Sequence, residues 1–225
     1  MKELKIKGGN TLTGTIRISG AKNASVALIP AAILADGEVT ICNVPEITDT
    51  DALTEILEYL GADVKRASES IVINSDTIVN KPIPEPISKK LRASYYFMAV
   101  LLGKYKHVEM YFPGGCSIGA RPIDQTLKGF KALGATIIEE ENKYIIDAKE
   151  LVGTNVYLDM PSVGATINTM LVAVKAKGET IIDNAAKEPE IVNVATFLNN
   201  MGAKITGAGT SEIRIQGVEK LNGCY

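Results

Sequence analysis

Apolar and polar positions follow one pattern three times along this 225-residue chain. Each copy has a polar or small-residue start, an apolar stretch of helical length, a short alternating stretch and an amphipathic stretch of helical periodicity. Each amphipathic stretch ends in Leu-Gly-Ala or Met-Gly-Ala, at positions 60–62, 133–135 and 201–203. Glycine readily takes the left-handed conformation that ends a helix. We therefore predict three repeats, over about residues 21–80, 88–148 and 155–217.

A turn-rich centre flanked by alternating apolar residues follows each of these glycines. The third copy, AKITGAGTSEIRIQG at 203–217, is an example. Alternation around a short polar turn is typical of a β-hairpin. Each repeat is thus predicted to contain a helix, a strand, a second helix and a hairpin.

The first helix of each repeat is apolar on nearly every side. The segments are VALIPAAILA at 26–35, YYFMAVLLG at 95–103 and INTMLVAVKAKG at 167–178. Such a helix is stable only when protein surrounds it, whereas the outer helices of a doubly wound sheet carry polar faces. We predict an α/β fold of the inside-out barrel type, with buried helices, outer sheets and a pseudo-threefold axis.

Composition and charge narrow the classes of partner. Hydrophobic residues make up 46% of the chain, and 24 basic residues nearly balance 26 acidic ones. This balance argues against nucleic acid as a partner. The start MKELKIKGGN has no apolar signal region, and no later apolar run reaches membrane-spanning length. The expected location is the cytoplasm, without a membrane partner.

Metal and cofactor signatures are absent from the sequence. The chain has three cysteines without a CxxC pair and a single histidine, His107. Neither a P-loop nor a GxGxxG motif after a strand is present. We expect no metal and no cofactor.

One glycine-rich loop holds the strongest candidates for chemistry. The segment Pro113–Pro122, PGGCSIGARP, carries Cys116 and Arg121. A cysteine in such a loop is expected to be accessible to solvent, and its thiol, near an arginine, is suited to donate a proton or to react with an electrophile. The guanidinium of Arg121 fits a phosphate or a carboxylate. Asp124 follows as a candidate helix cap.

The starts of the three buried helices are candidates for anion binding. Lys22 and Asn23 precede the first helix, Arg92 precedes the second, and the segment Ser162-Val163-Gly164 precedes the third. Backbone N–H groups at a helix N-terminus favour a negative charge. If the threefold arrangement holds, these starts converge at one end of the domain.

Lys22-Asn23, the loop PGGCSIGARPID and the segment PSVGATIN together give the chain a close resemblance to the enolpyruvyl transferases, in the branch that acts on UDP-N-acetylglucosamine. The resemblance runs along the whole chain. It implies transfer of an enolpyruvyl group from phosphoenolpyruvate to the sugar 3'-hydroxyl, with release of phosphate. The branch that acts on shikimate 3-phosphate shares the fold but lacks this cysteine loop.

The resemblance also implies roles for individual residues. Cys116 would protonate the methylene carbon of phosphoenolpyruvate and be alkylated by fosfomycin, while Lys22 and Arg121 would hold phosphoenolpyruvate. The residues expected to contact the substrates, mainly the sugar nucleotide, are Asn23, Arg92, Arg121, Pro122, Ile123, Asp124, Gln125, Ser162, Val163 and Gly164. At position 160 many relatives have a lysine where this chain has Met160.

Relatives have six such repeats in two domains, with the active site between them, and this chain has three. The resemblance therefore predicts that residues 1–20 form a strand that packs on a missing C-terminal domain, and that the chain alone has weak or no turnover. Two alternatives stay open: a non-catalytic module that binds a sugar nucleotide or an anion, and a transferase acting on shikimate 3-phosphate.

Overall fold

The computed structural model describes residues 3–114 and 122–225. Unit 1 consists of α1 (Lys22–Ala31), β1 (Glu38–Cys42), α2 (Thr48–Leu60), β2 (Asp63–Ala67) and β3 (Ser70–Asn74). A short helix α3 (Glu85–Ser88) and a 3₁₀ turn (Arg92–Tyr95) lead to unit 2, which consists of α4 (Tyr96–Tyr105), β4 (His107–Tyr111), α5 (Asp124–Ala132), β5 (Thr136–Glu140) and β6 (Lys143–Asp147). Strand β7 (Asn155–Tyr157) leads to unit 3, which consists of α6 (Val163–Ala173), β8 (Glu179–Asp183), α7 (Pro189–Asn200), β9 (Lys204–Thr206) and β10 (Glu212–Gln216). The predicted order of elements is present in every unit.

Each unit builds its own sheet, with the second hairpin strand in the middle. The strand orders are β1-β3-β2, β4-β6-β5 and β7-β8-β10-β9. Within each unit the pairing is antiparallel, and the buried side chains of paired strands fall in register, as in Val39 with Ile73 and Val108 with Ile146. The fourth strand of the third sheet, β7, pairs in parallel with β8. The alternation pattern did not predict it, because a three-residue strand is too short to show a period.

The end of the chain closes the ring of units. The amide of Thr40 in β1 donates to the carbonyl of Cys224 at 2.9 Å, and the amide of Gly223 donates to Asp36 at 2.8 Å. The parallel bridge Ile83–Met110 in unit 2 occupies the position that β7 occupies in unit 3, and the parallel bridge Asp36–Asn222 in unit 1 matches the bridge Val152–Lys177 that precedes β7. The segment that follows each unit therefore pairs beside the first strand of the next unit, and the segment that follows unit 3 pairs beside the first strand of unit 1.

The three first helices lie inside the domain, as their apolar pattern predicts. Every residue from Tyr96 to Gly103 in α4 and from Ala165 to Ala173 in α6 is buried. Helix α4 packs against both α1 and α6. Burying each large apolar side chain contributes roughly 1.5 to 3 kcal/mol. The structure is therefore an inside-out α/β barrel, with helices in the centre and sheets outside.

The repeated glycines end the amphipathic helices, as the sequence indicated. Gly61, Gly134 and Gly202 have φ angles of 102°, 101° and 107°. The carbonyl just before each glycine accepts a hydrogen bond from the segment that leaves the unit, at 2.8 to 3.0 Å, the donors being Val79, Val152 and Asn222. Any other residue would be strained at these φ angles.

Residues 3–20 lie outside this domain. They form no helix or strand, and their apolar side chains are exposed, including Leu4, Leu12 and Ile16. A Cβ atom on Gly20 would lie 1.6 Å from the carbonyl oxygen of Asn43, so only glycine fits where the segment leaves the domain. The predicted strand does not form against the described residues, and its packing on another domain stays a prediction. Within residues 3–114 and 122–225, no helix has the length and apolar character needed to cross a membrane.

Candidate active site

The starts of the three buried helices meet at one cleft of about 400 Å³. Lys22 and Asn23 come from α1, Arg92 from the turn before α4, and Val163 and Gly164 from α6. The other described residues that line it are Val26, Asp49, Ala93, Tyr95, Tyr96 and Glu190. Three helix N-termini with a lysine and an arginine beside them favour a bound anion. The structure thus brings together five of the residues that the sequence singled out; their role in binding stays a prediction.

The ammonium of Lys22 is held by a carboxylate that the sequence did not reveal. Lys22 Nζ lies 2.8 Å from Asp49 Oδ1, with 56% of the lysine side chain and 25% of the aspartate side chain exposed. Asp49 lies in the first turn of α2, where the helix dipole favours its negative charge. The run Thr48-Asp49-Thr50-Asp51 signals a helix start, but nothing in it indicates that Asp49 faces Lys22.

Asn23 is held by a second carboxylate, from a different unit. Its side-chain amide donates to Glu190 Oε1 at 3.0 Å, and Glu190 lies in the first turn of α7. This bond joins unit 1 to unit 3. A contact between residues so distant in the sequence depends on the ring closure and has no local sequence signal.

Two tyrosines form a wall of the cleft. The rings of Tyr95 and Tyr96 stack with their centroids 4.5 Å apart, and the guanidinium carbon of Arg92 lies 5.8 Å from the Tyr95 centroid. Burial raises the pKa of Tyr95 and raises that of Tyr96 well above its ordinary value, while the charge of Arg92 lowers both to a smaller extent. Both phenols therefore stay neutral at neutral pH and act as hydroxyl groups.

Gly164 allows this wall to approach α6. A Cβ atom at position 164 would lie 2.2 Å from the Tyr95 hydroxyl oxygen and 3.0 Å from its ring. No such contact is tolerated without a shift of the ring or of the helix. The glycine is therefore required for the close packing of α6 on the wall, in addition to its place at a helix start.

The remaining predicted contact residues within the described part of the chain are not among those that line the cleft. Ser162 caps α6, since its hydroxyl accepts from the amide of Ala165 at 3.3 Å. Pro122 is exposed, and Ile123 is the residue before α5. The prediction that Asp124 caps this helix is wrong: Asp124 is the first residue inside it, and the capping position belongs to Ile123, which has no polar side chain.

Gln125 is engaged in a structural contact. Its side chain donates to Asp159 Oδ2 at 3.0 Å and accepts from the Asp159 amide at 2.9 Å. Hydrogen bonds from Lys128 and Gln125 lower the pKa of Asp159. This contact joins the start of α5 to the segment before α6. Met160, next in the chain, is 61% exposed.

Cys116 and Arg121 lie outside the described residues. Their expected positions over the cleft stay a prediction. In the described part of the chain, no three histidine, cysteine or acidic residues are grouped so as to hold a metal ion. The alternating stretch GEVTICNV at 37–44 favours a structural role for Cys42, but its side chain is exposed at the end of β1.

Solved structures with the same architecture identify the fold. The enolpyruvyl transferase NikO from Streptomyces tendae superposes with a TM-score of 0.84 at 23% identity, covering 96% of this chain and 51% of NikO. EPSP synthase from Acinetobacter baumannii superposes with a TM-score of 0.69 at 20% identity, covering 93% of this chain and 48% of the EPSP synthase chain. At these identities the likeness establishes the fold alone, which is that of the enolpyruvyl transferases.

The family follows from the sequence. The profile of EPSP synthase (3-phosphoshikimate 1-carboxyvinyltransferase) matches residues 6–225, and the chain belongs to this family.

Within the family, curated relatives are more specific. Proteins from Oceanobacillus iheyensis, Geobacillus kaustophilus and Bacillus subtilis are 57%, 56% and 53% identical over 224 residues, and all three bear the name UDP-N-acetylglucosamine 1-carboxyvinyltransferase 2. The chain is covered completely, and it spans about half the length of each relative (52%).

Proposed function

We propose that this chain is the substrate-holding half of a UDP-N-acetylglucosamine 1-carboxyvinyltransferase. The reaction moves an enolpyruvyl group from phosphoenolpyruvate to the 3'-hydroxyl of UDP-N-acetylglucosamine and releases phosphate. The names of the relatives support this choice of acceptor, as does the cysteine loop. In a bacterium this is the first committed step of peptidoglycan synthesis, and hence of cell-wall growth, and it takes place in the cytoplasm.

The observation that carries the proposal is the cleft itself. Both substrates are phosphorylated anions, and the cleft combines Lys22 and Arg92 with the N-terminal ends of three buried helices. Positive groups that are already in place stabilise the charge that develops on a departing phosphate, because these groups need not reorganise during the reaction. Neutral hydroxyl and amide groups on the same walls, from Tyr95 and Asn23, suit a sugar.

Proton transfer is assigned to the thiol of Cys116. Donation to the methylene carbon of phosphoenolpyruvate leaves the neighbouring carbon electrophilic, and the sugar hydroxyl oxygen bonds to that carbon while its proton goes to a base. Loss of phosphate and of one methyl proton then restores the double bond, so the added proton is returned. Lys22 and Arg121 hold the phosphate and carboxylate of the donor through these steps, and exclusion of water protects the electrophilic carbon. Fosfomycin is proposed to alkylate the same thiol.

The second half of the relatives is the proposed partner for residues 3–20. These residues present a row of exposed apolar side chains with no partner among the described residues. Pairing of this segment as a strand with a sheet of the second half would cover these side chains and satisfy its backbone groups. We assign the base that accepts the hydroxyl proton, and further arginines, to that second half.

The test is phosphate release by the completed protein, meaning this chain joined to the second half of the Geobacillus kaustophilus relative. We expect release only when phosphoenolpyruvate and UDP-N-acetylglucosamine are both present, and little or none from the 225-residue chain alone. Release with shikimate 3-phosphate but not with the sugar nucleotide would reject the proposed acceptor. Calorimetric binding of the sugar nucleotide without any release would favour a non-catalytic binding module.

A further inference from the structure

The three amphipathic helices, α2, α5 and α7, each carry a polar side chain at their second position. These are Asp49 in α2, Gln125 in α5 and Glu190 in α7. Each binds a residue at or just before the start of a buried helix: Asp49 binds Lys22, Gln125 binds Asp159, and Glu190 binds Asn23. Asp49 and Glu190 both bind residues of α1 in the cleft, whereas Gln125 binds Asp159, and neither of these two is among the described residues that line the cleft.

The carboxylates need an explanation, because they oppose the binding of an anion. The side chains of Asp49 and Glu190 bring two negative charges to a cleft whose described cations are Lys22 and Arg92. A cleft selected only for anion affinity would lack them, since each repels a phosphate group. Their retention at the cleft therefore points to orientation of the groups that they bind.

Lys22 is the group with the most to gain from orientation. A lysine side chain has a flexible four-carbon stem and a point charge, and it loses much rotamer freedom when it is fixed. More than half of this side chain is exposed, so packing alone does not fix it. The 2.8 Å contact with Asp49 Oδ1 does.

We propose that Asp49 is a positioning residue for the proposed reaction: it holds the Lys22 ammonium where the phosphate of the donor departs, and Glu190 holds the neighbouring Asn23 amide in the same way. The proposal rests on the proposed function. Asp49 touches no reacting atom and acts through Lys22. Its negative charge lowers the affinity for the donor while the fixed geometry raises the rate of the chemical step.

This arrangement predicts opposite changes in the two kinetic constants. Replacing Asp49 by asparagine removes a negative charge from the cleft and releases Lys22. We expect kcat to fall by roughly 10- to 100-fold, the scale of loss that follows a displacement of about 1 Å in an active site. The KM for phosphoenolpyruvate should stay the same or fall. A residue that only stabilises the fold lowers the apparent kcat through the folded fraction alone, so kcat is corrected for that fraction, measured by thermal unfolding of the same samples.

Asp51 provides a matched control on the same helical turn. It is also in the first turn of α2, but its side chain is 63% exposed and pairs with Arg66 outside the described lining of the cleft. Asp51→Asn in the completed protein should leave kcat and KM unchanged. The conservative variant Asp49→Glu keeps a carboxylate and should recover part of the lost kcat.

A second measurement does not depend on turnover. In the chain labelled with ¹⁵N-lysine, an ammonium held in an ion pair exchanges its protons slowly enough to give an NMR signal, and Lys22→Met identifies that signal. We expect Asp49→Asn to abolish or broaden it and Asp51→Asn to preserve it. Failure of the unsubstituted completed protein to release phosphate would reject the proposed function, whereas this signal still decides whether Asp49 holds Lys22.

Two results would overturn the inference. The first is an Asp49→Asn variant whose kcat, KM and Lys22 signal match those of Asp51→Asn. The second is a fall in kcat that disappears once the rate is corrected for the fraction of folded protein, measured by thermal unfolding of the same samples.

Discussion

The two ends of the buried helices carry lysines with opposite electrostatic consequences. At the C-terminal ends, Lys104 donates to the carbonyls of Ile33 and Ala35 at 2.7 and 2.9 Å, and Lys106 donates to Gly103 at 2.6 Å. Positive charge there complements the helix dipoles. At the N-terminal ends, Lys22 and Arg92 lie where positive charge opposes the dipoles. The same side-chain chemistry is therefore structural at one end and costs stability at the other.

The cost at the N-terminal end indicates function. The residues of a natural sequence normally favour the fold that the chain adopts, and residues that oppose it concentrate at functional sites. At the C-terminal ends, Lys104 and Lys106 donate hydrogen bonds to backbone carbonyls. At the N-terminal ends, the backbone N–H groups are directed at the open cleft of about 400 Å³. Substitutions at the two ends should thus separate activity from stability.

The largest expected effect is at the cleft end. Lys22→Met in the completed protein should lower the rate of phosphate release by about 100- to 1000-fold, because a charge that stabilises the departing phosphate is lost. The free energy of unfolding should change by less than about 1 kcal/mol, since more than half of the lysine side chain in the pair with Asp49 is exposed. Assays of phosphate release and urea unfolding on one preparation measure both. Near-normal turnover would remove Lys22 from its assigned role.

At the C-terminal ends of the buried helices, a substitution should lower stability and leave activity unchanged. Lys104→Met leaves the carbonyls of Ile33 and Ala35 without their donor, and only 19% of this lysine side chain is exposed. The free energy of unfolding should fall by about 1 to 3 kcal/mol, while the activity of the folded protein is kept. Lys131→Met, on an exposed position of α5, is the control and should unfold like the unsubstituted chain. Equal stability of both variants would refute the comparison.

Gly164→Ala tests the tyrosine wall of the cleft. The added methyl group meets the Tyr95 hydroxyl, and relief of this overlap should cost about 1 to 3 kcal/mol of stability. It should also weaken binding of UDP-N-acetylglucosamine to the completed protein, measured by calorimetry. Gly8→Ala, where no atom lies within 4 Å of the new methyl group, should change neither quantity. An unchanged melting temperature in Gly164→Ala would show that the wall moves easily.

Alkaline pH should produce the smallest effect. Burial raises the pKa of Tyr95 and Tyr96 above the ordinary value of about 10, so their contribution to stability is complete below pH 10 and is lost as pH rises through the folded-state pKa. Burial lowers the pKa of Lys104, so the cost of burying its charge disappears as pH rises. This contribution increases stability at alkaline pH, opposite to that of the tyrosines. Urea unfolding between pH 8 and 11 measures the sum.

Tyr96→Phe separates these contributions. Without the buried phenol, the alkaline loss of stability should become smaller, because the remaining lysine contribution has the opposite sign. A steeper alkaline loss in Tyr96→Phe than in the unsubstituted chain would contradict the assignment of the loss to the cleft wall.

Sequence patterns were sufficient for the architecture because the determinants of each element are local. The all-apolar stretches at 26–35 and 95–103 place their helices inside, and the glycines at 61, 134 and 202 end the amphipathic helices. The same patterns located the helix starts around Lys22 and Gly164, which the ring of units then brings to one cleft.

The sequence did not reveal the residues that support the cleft. Asp49 and Glu190 appear in the sequence as ordinary acidic residues of a first helical turn, and the role of Glu190 depends on unit 3 closing against unit 1. Asp124 was misassigned as a cap because its position relative to the helix start is fixed by a single residue step. Gln125 is engaged with Asp159, a partner set by the packing of α5 on α6. Such contacts arise from tertiary structure and have no periodic signal.

The most direct measurement of the central claim is an NMR titration of the ¹⁵N-labelled chain with phosphoenolpyruvate. We predict saturable shifts of the backbone amides at Lys22, Asn23 and Gly164, at the N-terminal ends of the buried helices, and loss of these shifts in Lys22→Met. Shifts confined to the opposite end, around Lys104 and Lys106, would contradict the account.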